Sequence, residues 1–368
     1  MIRSVLNNEI LKKITAIEEN RFSIKGIELP QITMNRLRKN SKKKSSYASN
    51  KIEGNPLTEA QANEAMDRDD HKHFLKPEQE VRNYYLALNL LEEKLKEREP
   101  FSKKLILEVQ ALVERGAAKE KIGLRGPMPP ALLFAVYDSQ TGVPEYIPPE
   151  YSEIPSLLDE LADYVNSTDD HPLIIAAIVH YQLVTIHPFE DGNGRTARLL
   201  SGYILDYYGY GFKGIGSLEE YFAYAPDEYY ASLQMGLPAL YYSGRENPPH
   251  PEVWILYFLR MMELYSCKVC EISQASQLDE VMGSLSYLNA KEKSFLAFLL
   301  RNCMVEFAPI ELSRVLGVTN KTIINRCVKL ASNGFLIPNI VKERIRTYSL
   351  SAFTSNHSEE LLSVLPDA

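Results

Sequence analysis

An apolar helix that runs into a charged, glycine-rich loop is the feature that most constrains this fold. The stretch PLIIAAIV (172–179) is apolar on every side of a helix, which predicts a helix at the centre of a core. Soon after it, HPFEDGNGRTAR (187–198) combines a histidine, two acids, two glycines and two arginines. Helical periodicity then resumes over 195–208. The sequence therefore predicts two neighbouring helices joined by a charged turn.

The rest of the chain is also predicted to be mainly helical. Apolar residues recur at three- and four-residue steps over 78–98, as one buried helix face requires. The stretch 132–149 differs, because two short apolar or aromatic runs flank a turn that contains glycine and indicate a β-hairpin. The stretch 309–350 has the outline of helix, turn, helix and short hairpin, which is typical of a winged helix-turn-helix.

Charge and cysteine usage limit the class of protein. The 368 residues carry a formal net charge of −7, so any nucleic-acid-binding surface has to be local. Four cysteines are too few for a disulfide scaffold and favour a reducing cytosol. The N-terminal stretch lacks a signal-peptide core, and no stretch approaches the ~20 apolar residues that span a bilayer. We therefore expect a cytoplasmic protein without a membrane partner, folded in two or three units.

The loop after the apolar helix has the residue types of a phosphate site. Gly192 and Gly194 flank Asn193 just before a helix, where glycine permits close approach of a ligand and the first N–H groups attract anions. Arg195 and Arg198 lie three positions apart and share one helix face, so they can clamp one polyanion. Either feature alone is commonly only a turn or a solvated face, but their combination favours a polyanion site.

Two further side chains in this loop suggest chemistry on the phosphates. Asp191 is a carboxylate among phosphate ligands, and Mg²⁺ favours one or two carboxylates together with phosphate oxygens and water. His187 precedes it, and a neutral imidazole near a phosphate can take a proton from an attacking hydroxyl.

The loop also resembles a known signature. HPFEDGNGRTAR matches the Fic family motif, H-P-F-x-(D/E)-G-N-G-R-x-x-R, at every specified position. The resemblance implies a Fic-type helical core with a β-hairpin flap, and a protein adenylyltransferase that moves AMP from Mg-ATP to a target hydroxyl. Related Doc-type proteins with a lysine in this loop phosphorylate instead, and Gly194-Arg195 here favours adenylylation.

The resemblance also implies a role for each residue. His187 would be the catalytic base, and Asp191 would hold Mg²⁺. The nucleotide would be bound by Gly192, Asn193, Gly194, Arg195, Arg198, Tyr229 and Tyr230. The two tyrosines, in YFAYAPDEYYASL, would close over adenine and ribose, although such a pair is more often part of a core. The target would lie along the flap at 132–147 by strand addition, self-modification is expected, and a homodimer is left open.

A second stretch, SSYASNKIEGN (45–55), is interpreted as a short helix that ends at Gly54. It resembles the inhibitory motif of the same family, (S/T)-x-x-x-E-(G/N), at Ser49, Glu53 and Gly54. This resemblance implies that Glu53 pairs with Arg198, denies the γ-phosphate its anchor, and autoinhibits the enzyme. Glu53 in the same place could instead position a water that removes AMP from a modified target.

These features predict five regions: an N-terminal helical region with the inhibitory helix at about 45–54, the Fic core, a helical linker, a winged helix and a tail. Their bounds are 1–77, 78–250, 251–288, 289–355 and 356–368. Residues 313–346 contain one acidic residue, Glu343, and seven basic residues. The basic residues are Arg314, Lys321, Arg326, Lys329, Lys342, Arg344 and Arg346. This basic cluster leaves open an alternative function, a winged-helix DNA-binding regulator whose Fic core senses nucleotide. A Fic-fold phosphotransferase is the other alternative.

Overall fold

Helices make up most of both units into which the chain divides, Met1–Ser273 and Gln274–Ala368. The computed structural model describes residues 2, 5–68, 73–118, 121–129, 132, 134–137, 142, 144–235, 237, 248–341 and 343–366. The mainly helical prediction is confirmed. The boundary between the units falls inside one long helix, so the five-region division stays a prediction. In the described ranges, no helix is long and apolar enough to cross a membrane.

The first unit contains a helical core and one short hairpin. Its elements in chain order are α1 (Asn8–Gly26), α2 (Gln31–Ile52), α3 (Glu59–Asp67), α4 (Lys76–Lys96), α5 (Lys103–Val113), β1 (Val136–Tyr137), β2 (Pro144–Tyr146), α6 (Ile154–Ser167), α7 (Pro172–Ile186), α8 (Asn193–Tyr207), α9 (Glu219–Tyr224), α10 (Pro226–Gln234) and the start of α11 (Pro251–Leu285).

Helix α7 lies at the centre of this unit, as its apolar sequence predicts. Every residue from Leu173 to Leu183 is buried. Helix α8 packs along α7, and α4 and α5 pack against α8. Trp254 of α11 donates a hydrogen bond to the carbonyl of Ala177, 2.8 Å away, so α11 is fixed to the same central helix. This core holds both ends of the 187–198 loop in place.

The predicted inhibitory helix is longer than expected. It is the last part of α2, which has 22 residues and ends where Gly54 adopts the left-handed conformation at φ +78°. The sequence interpretation as a short helix was wrong, because the preceding basic stretch NRLRKNSKKK (35–44) is part of the same helix. Ser41, Ser45 and Ser49 form a buried polar stripe on α2, which packs against α4, α8 and α9.

The predicted flap is present as the antiparallel pair β1–β2, in which Val136 pairs with Tyr146. Residues 133, 138–141 and 143, which include most of the predicted turn, lie outside the described residues. Gly142 has φ +66°, a conformation that suits a tight turn. Among the described residues, no further strand pairs with this hairpin.

The second unit contains the rest of α11 and the predicted order of helix, turn, helix and hairpin. Its elements are α12 (Ala290–Arg301), β3 (Glu306–Phe307), α13 (Pro309–Val315), α14 (Asn320–Ser332), β4 (Leu336–Val341), β5 (Arg344–Leu350), α15 (Ala352–Asn356) and α16 (Ser358–Val364). The three strands form an antiparallel sheet in the order β3–β5–β4. A separate apolar core, which includes Phe295, Phe307 and Phe335, supports them.

Candidate active site

His187 ends α7 in a strained backbone conformation. Its φ of +47° lies in the left-handed region, which a non-glycine residue rarely adopts without support. Arg125 supplies that support, because its Nε donates to the His187 carbonyl at 2.8 Å and its backbone N–H donates to the Pro188 carbonyl at 2.9 Å. Arg125 is itself buried and stacks over the ring of Phe134. The turn is therefore held from outside α7.

The surroundings of His187 favour a neutral ring with one free nitrogen. Nδ1 lies 3.2 Å from the carbonyl of Val184, so Nδ1 carries the proton and Nε2 is the acceptor. Burial lowers the pKa of His187 to about 4, and the nearby charge of Arg125 adds to this effect. The ring is therefore unprotonated at neutral pH and able to accept a proton.

Asn193 fixes the loop through its side chain. Its Oδ1 accepts from the N–H of Phe189 at 3.0 Å and its Nδ2 donates to the carbonyl of the same residue at 2.9 Å. The predicted contact of Asn193 with a phosphate would therefore come from its backbone N–H. Phe189 is fully buried, so it anchors the turn in the core.

Gly192 is required both by its backbone and by the space beneath it. It caps α8 with φ +80°, and a Cβ there would lie 2.6 Å from Oε1 of Glu114. Glu114 follows α5 and is fully buried. Burial raises the pKa of Glu114 to about 7, although Arg195 opposes this. The Glu114 carboxyl therefore lies directly beneath Gly192 and forms the floor of the loop, which leaves no room for a larger side chain at that position.

Asp191 is a partly exposed carboxylate at the edge of the loop. It is held by Nζ of Lys121 at 3.0 Å, by Arg195 at 3.2 Å and by the N–H of Gly192 at 2.8 Å. Burial alone would raise the pKa of Asp191, but the Lys121 hydrogen bond and the Arg195 charge outweigh it and lower the pKa. Asp191 is therefore ionised at neutral pH.

The donor set at this point fits Mg²⁺ bound mostly through phosphate. Among the described residues no group of three or more His, Cys, Asp or Glu side chains could hold a metal by itself. A single ionised carboxylate next to an anion site is what Mg²⁺ needs when nucleotide oxygens and water complete its coordination.

The two loop arginines have different partners. Arg195 contacts Glu114 at 2.9 Å and Asp191 at 3.2 Å, so it points under the loop. Arg198 points toward α2, where its Nε donates to Oγ of Ser49 at 2.7 Å and its Nη2 donates to the Ser49 carbonyl at 3.1 Å. Both guanidinium groups are almost completely buried.

Glu53 lies directly over the start of α8. Its Oε1 is 2.6 Å from Nη2 of Arg198, and about a third of the Glu53 side chain is exposed. A Cβ on Gly194 would overlap with the same carboxylate oxygen. Burial disfavours the charge on Arg198, but Glu53 more than compensates and raises the pKa of the guanidinium. A carboxylate therefore occupies the space where the first N–H groups of α8 attract an anion.

The two candidate tyrosines are placed differently from each other. Tyr229 is buried, and its hydroxyl lies 3.5 Å from Nη1 of Arg198, so it packs in the core behind that arginine. Tyr230 is 45% exposed and remains accessible to a base or ribose. The adenine-closing role stays a prediction, and the Tyr229 hydroxyl is observed in contact with Arg198 and His180.

Sequence reasoning missed three residues of this site. Glu114, Lys121 and Arg125 hold Arg195, Asp191 and the His187 turn, respectively. All three lie more than sixty positions before the motif residues that they contact, and their stretch carries no pattern of its own. Only the packing of α5 and its following loop against α8 brings them to the site.

Comparison with known proteins agrees with this geometry. The Fic/DOC family model matches residues 100–205, which include His187, Asp191 and Arg198. Protein adenylyltransferase Fic of Nematostella vectensis is 30% identical over 203 residues, which cover 54% of this chain and 45% of the relative. The Drosophila grimshawi protein of the same name is 28% identical over 211 residues, or 54% of this chain and 40% of the relative. The chain thus spans less than half the length of these curated relatives.

Solved structures support the fold. A Fic family protein from Desulfovibrio desulfuricans G20 superposes with a TM-score of 0.58 at 20% identity, covering 96% of this chain and 98% of that one. Fic-1 from C. elegans superposes with a TM-score of 0.56 at 24% identity, covering 73% and 72%. The Fic/DOC family model thus matches a domain at residues 100–205, and these solved structures agree with it in fold.

Proposed function

We propose that this chain transfers AMP from Mg-ATP to a hydroxyl side chain of a target protein and releases pyrophosphate. One observation carries the proposal: the free Nε2 of a neutral His187 and the N-terminus of α8, which attracts anions, belong to the same rigid turn. A base and a phosphate cradle are the two groups that this reaction requires. The relatives named protein adenylyltransferase support the same activity at the level of the family.

The reaction assigns one task to each residue. The target oxygen attacks the α-phosphorus while His187 Nε2 takes its proton, and the bond to the pyrophosphate oxygen breaks. The N–H groups of Gly192, Asn193 and Gly194 stabilise the charge that develops on the α-phosphate. Asp191 would hold Mg²⁺, which supplies charge neutralisation for the phosphates when bound. Arg198 would hold the γ-phosphate, and Arg195 would reach the β-phosphate only after turning away from Glu114.

The same geometry supports an autoinhibited enzyme. The Glu53 carboxylate lies on Arg198 and above Gly194, so a γ-phosphate at Arg198 has to displace it. Ser49 reinforces the pair, because it bonds the same guanidinium from α2. In a separate hydrolytic reaction, Glu53 would direct a water to the phosphorus of AMP on a modified target, so that the target hydroxyl and free AMP are released.

The target would extend along the hairpin β1–β2. Tyr137 on β1 is 57% exposed, and the free edge of a two-stranded sheet can accept a third strand. A segment of the enzyme itself satisfies the same geometry, so self-modification is expected. The α-phosphorus would then face His187. Phe134, just before β1, lies 5.9 Å from the His187 ring between ring centroids, so the start of the hairpin is close to that ring.

Isotope position tests the reaction. Incubation of the Glu53→Gly protein with ATP should place α-³²P in protein and leave γ-³²P in pyrophosphate. His187→Ala should abolish this labelling while the protein still binds ATP. Labelling by γ-³²P would instead show a phosphotransferase and would reject the proposal, as would ATP binding without incorporation of either label.

A second candidate function is DNA binding by the second unit. Arg314, Lys321, Lys329, Arg344 and Arg346 are exposed, and none has an acidic partner within the described part of the chain. Lys342, which was predicted to belong to this group, lies outside the described residues. Helix α14 would then enter the major groove of a duplex. A mobility shift of labelled duplex that weakens steeply with salt would support it, and no shift at low salt would exclude it.

A further inference from the structure

A buried polar chain connects the central helix to the inhibited arginine. His180 of α7 is fully buried and stacks on Trp254 at 4.8 Å between ring centroids. Its Nε2 lies 3.1 Å from the hydroxyl of Tyr229, and that hydroxyl lies 3.5 Å from Nη1 of Arg198. The three residues come from α7, α10 and α8, so packing alone brings them together.

Hydrogen-bond chemistry fixes the direction at the Arg198 end of this chain. A guanidinium only donates, so the Tyr229 oxygen accepts from Arg198. We assign the Tyr229 hydroxyl as the donor to Nε2 of His180, which gives that hydroxyl an acceptor and places the His180 proton on Nδ1. That Nδ1 is buried and has no hydrogen-bond partner among the described residues. An unpaired buried donor is costly, and it is tolerated where the group has a task. Burial and the charge of Arg198 lower the pKa of His180 well below its ordinary value.

Arg198 is therefore held by two groups of contacts, only one of which has to break when ATP binds. Ser49 and Glu53 bond Nε and Nη2 from α2, and this side has to change when a γ-phosphate displaces Glu53. Tyr229 contacts Nη1 from α10, which involves no inhibitory residue. The Tyr229 contact, at 3.5 Å, is the longest of the four hydrogen bonds that the described residues make to the Arg198 guanidinium. It therefore contributes more to the orientation of the guanidinium than to the energy that holds it.

We propose that Tyr229 and His180 are positioning residues that keep Arg198 aimed at the γ-phosphate after Glu53 has left. The inference rests on the proposed function, since it assigns the γ-phosphate to Arg198. It gives Tyr229 a task other than closing over adenine, and it gives a task to a histidine that lies outside the Fic motif. The chain runs Arg198 N–H to Tyr229 oxygen, and Tyr229 O–H to His180 Nε2.

The role is tested by nucleotide binding in the Glu53→Gly background. Because the proposed function places Arg198 on the γ-phosphate, which ADP lacks, Tyr229→Phe should weaken ATP binding about fivefold, the scale of one ordinary hydrogen bond, and leave ADP binding unchanged. His180→Leu should act in the same way, whereas His180→Gln keeps an acceptor and should restore most of the loss. Tyr203→Phe is the matched control, because Tyr203 is a buried tyrosine on α8 whose hydroxyl bonds to the Glu99 carbonyl instead.

The hydrogen-bond direction is tested without any activity. In ¹⁵N-histidine spectra the His180 ring, identified by its loss in His180→Gln, should be the neutral Nδ1–H tautomer from pH 5 to 8, an arrangement that model imidazoles do not prefer. Tyr229→Phe should release this tautomer, and Tyr203→Phe should not. Unchanged spectra and an unchanged ATP preference in Tyr229→Phe would reduce the chain to core packing. Equal ATP and ADP affinities in Glu53→Gly itself, with the tautomer intact, would reject the γ-phosphate site of the proposed function and leave the hydrogen-bond chain standing.

Discussion

Replacement of Glu53 by glycine is the most informative single change in this protein. The Glu53 carboxylate is 2.6 Å from Nη2 of Arg198 and blocks the space above Gly194. Its removal leaves the arginine bonded to Ser49 and free to receive a γ-phosphate. The position follows α2 as its C-cap, with φ −84° and ψ 12°, which glycine adopts without strain.

The size of the effect follows from the burial of the pair. The Arg198 side chain is 1% exposed and that of Glu53 is 33% exposed, so the pair lies between the surface and the buried case. Exposed ion pairs contribute roughly 0.2–1 kcal/mol, and removing one partner of a buried pair costs about 3–5 kcal/mol. A value of about 2 kcal/mol corresponds to about a thirtyfold change in rate. Self-labelling from ATP should therefore rise about thirtyfold in Glu53→Gly.

The assay is incorporation of α-³²P from ATP into the purified chain over time. Glu97→Gly is a matched control, because Glu97 is also an exposed glutamate that caps a helix, α4, and no cationic partner lies near it in the described ranges. Glu53→Gln should give an intermediate rate, since it removes the charge but keeps a group of the same size. Equal rates in Glu53→Gly and wild type, with His187→Ala inactive, would refute the inhibitory role of Glu53.

Three further predictions concern the floor and the base of the site. In Glu53→Gly, protonation of His187 should not change the rate of AMP transfer between pH 6 and 8. The rate should fall only as the pH drops toward about 4, because burial lowers the pKa of the His187 imidazole to that value. A fall in rate centred near pH 6.5 would contradict this. Burial raises the folded pKa of Glu114 to about 7, above its unfolded value, so its proton stabilises the fold at low pH, and this stability is lost as pH rises through 7. In Glu114→Gln, the melting temperature should change less between pH 5 and 8 than it does in the wild type. The same dependence of melting temperature on pH in both proteins would contradict the role of a protonated Glu114 beneath the loop. Gly192→Ala should destabilise the fold by about 1–3 kcal/mol and abolish transfer, because a methyl at φ +80° meets Glu114; urea unfolding measures this, and an unchanged midpoint would show that the loop adapts.

The sequence carries the fold class and the loop because both are local. The apolar residues of 172–179 predict a central helix, and α7 is buried from Leu173 to Leu183. The motif at 187–198 contains the proposed base, the carboxylate, the glycines and the arginines in one continuous stretch. The Ser49–Gly54 motif likewise predicts a helix end, and Gly54 provides it at φ +78°.

The packing of distant helices decided what each of these groups contacts. Helical spacing puts Arg195 and Arg198 on one face, yet Arg195 turns to Glu114 and Arg198 turns to Glu53 and Ser49. The resemblance assigns Tyr229 to the nucleotide, although such a tyrosine pair is more often part of a core, and the fold buries Tyr229 beside Arg198.

The physical reason is that a short stretch of sequence fixes backbone preference and the inventory of charges, whereas ion pairing depends on which other elements desolvate those charges. The sequence alone determined a mainly helical protein and predicted a phosphate-binding turn with a histidine beside it. Only the tertiary structure determined that a carboxylate from α2 covers the turn, that Glu114 lies beneath it, and that Arg125 holds His187 in its left-handed conformation.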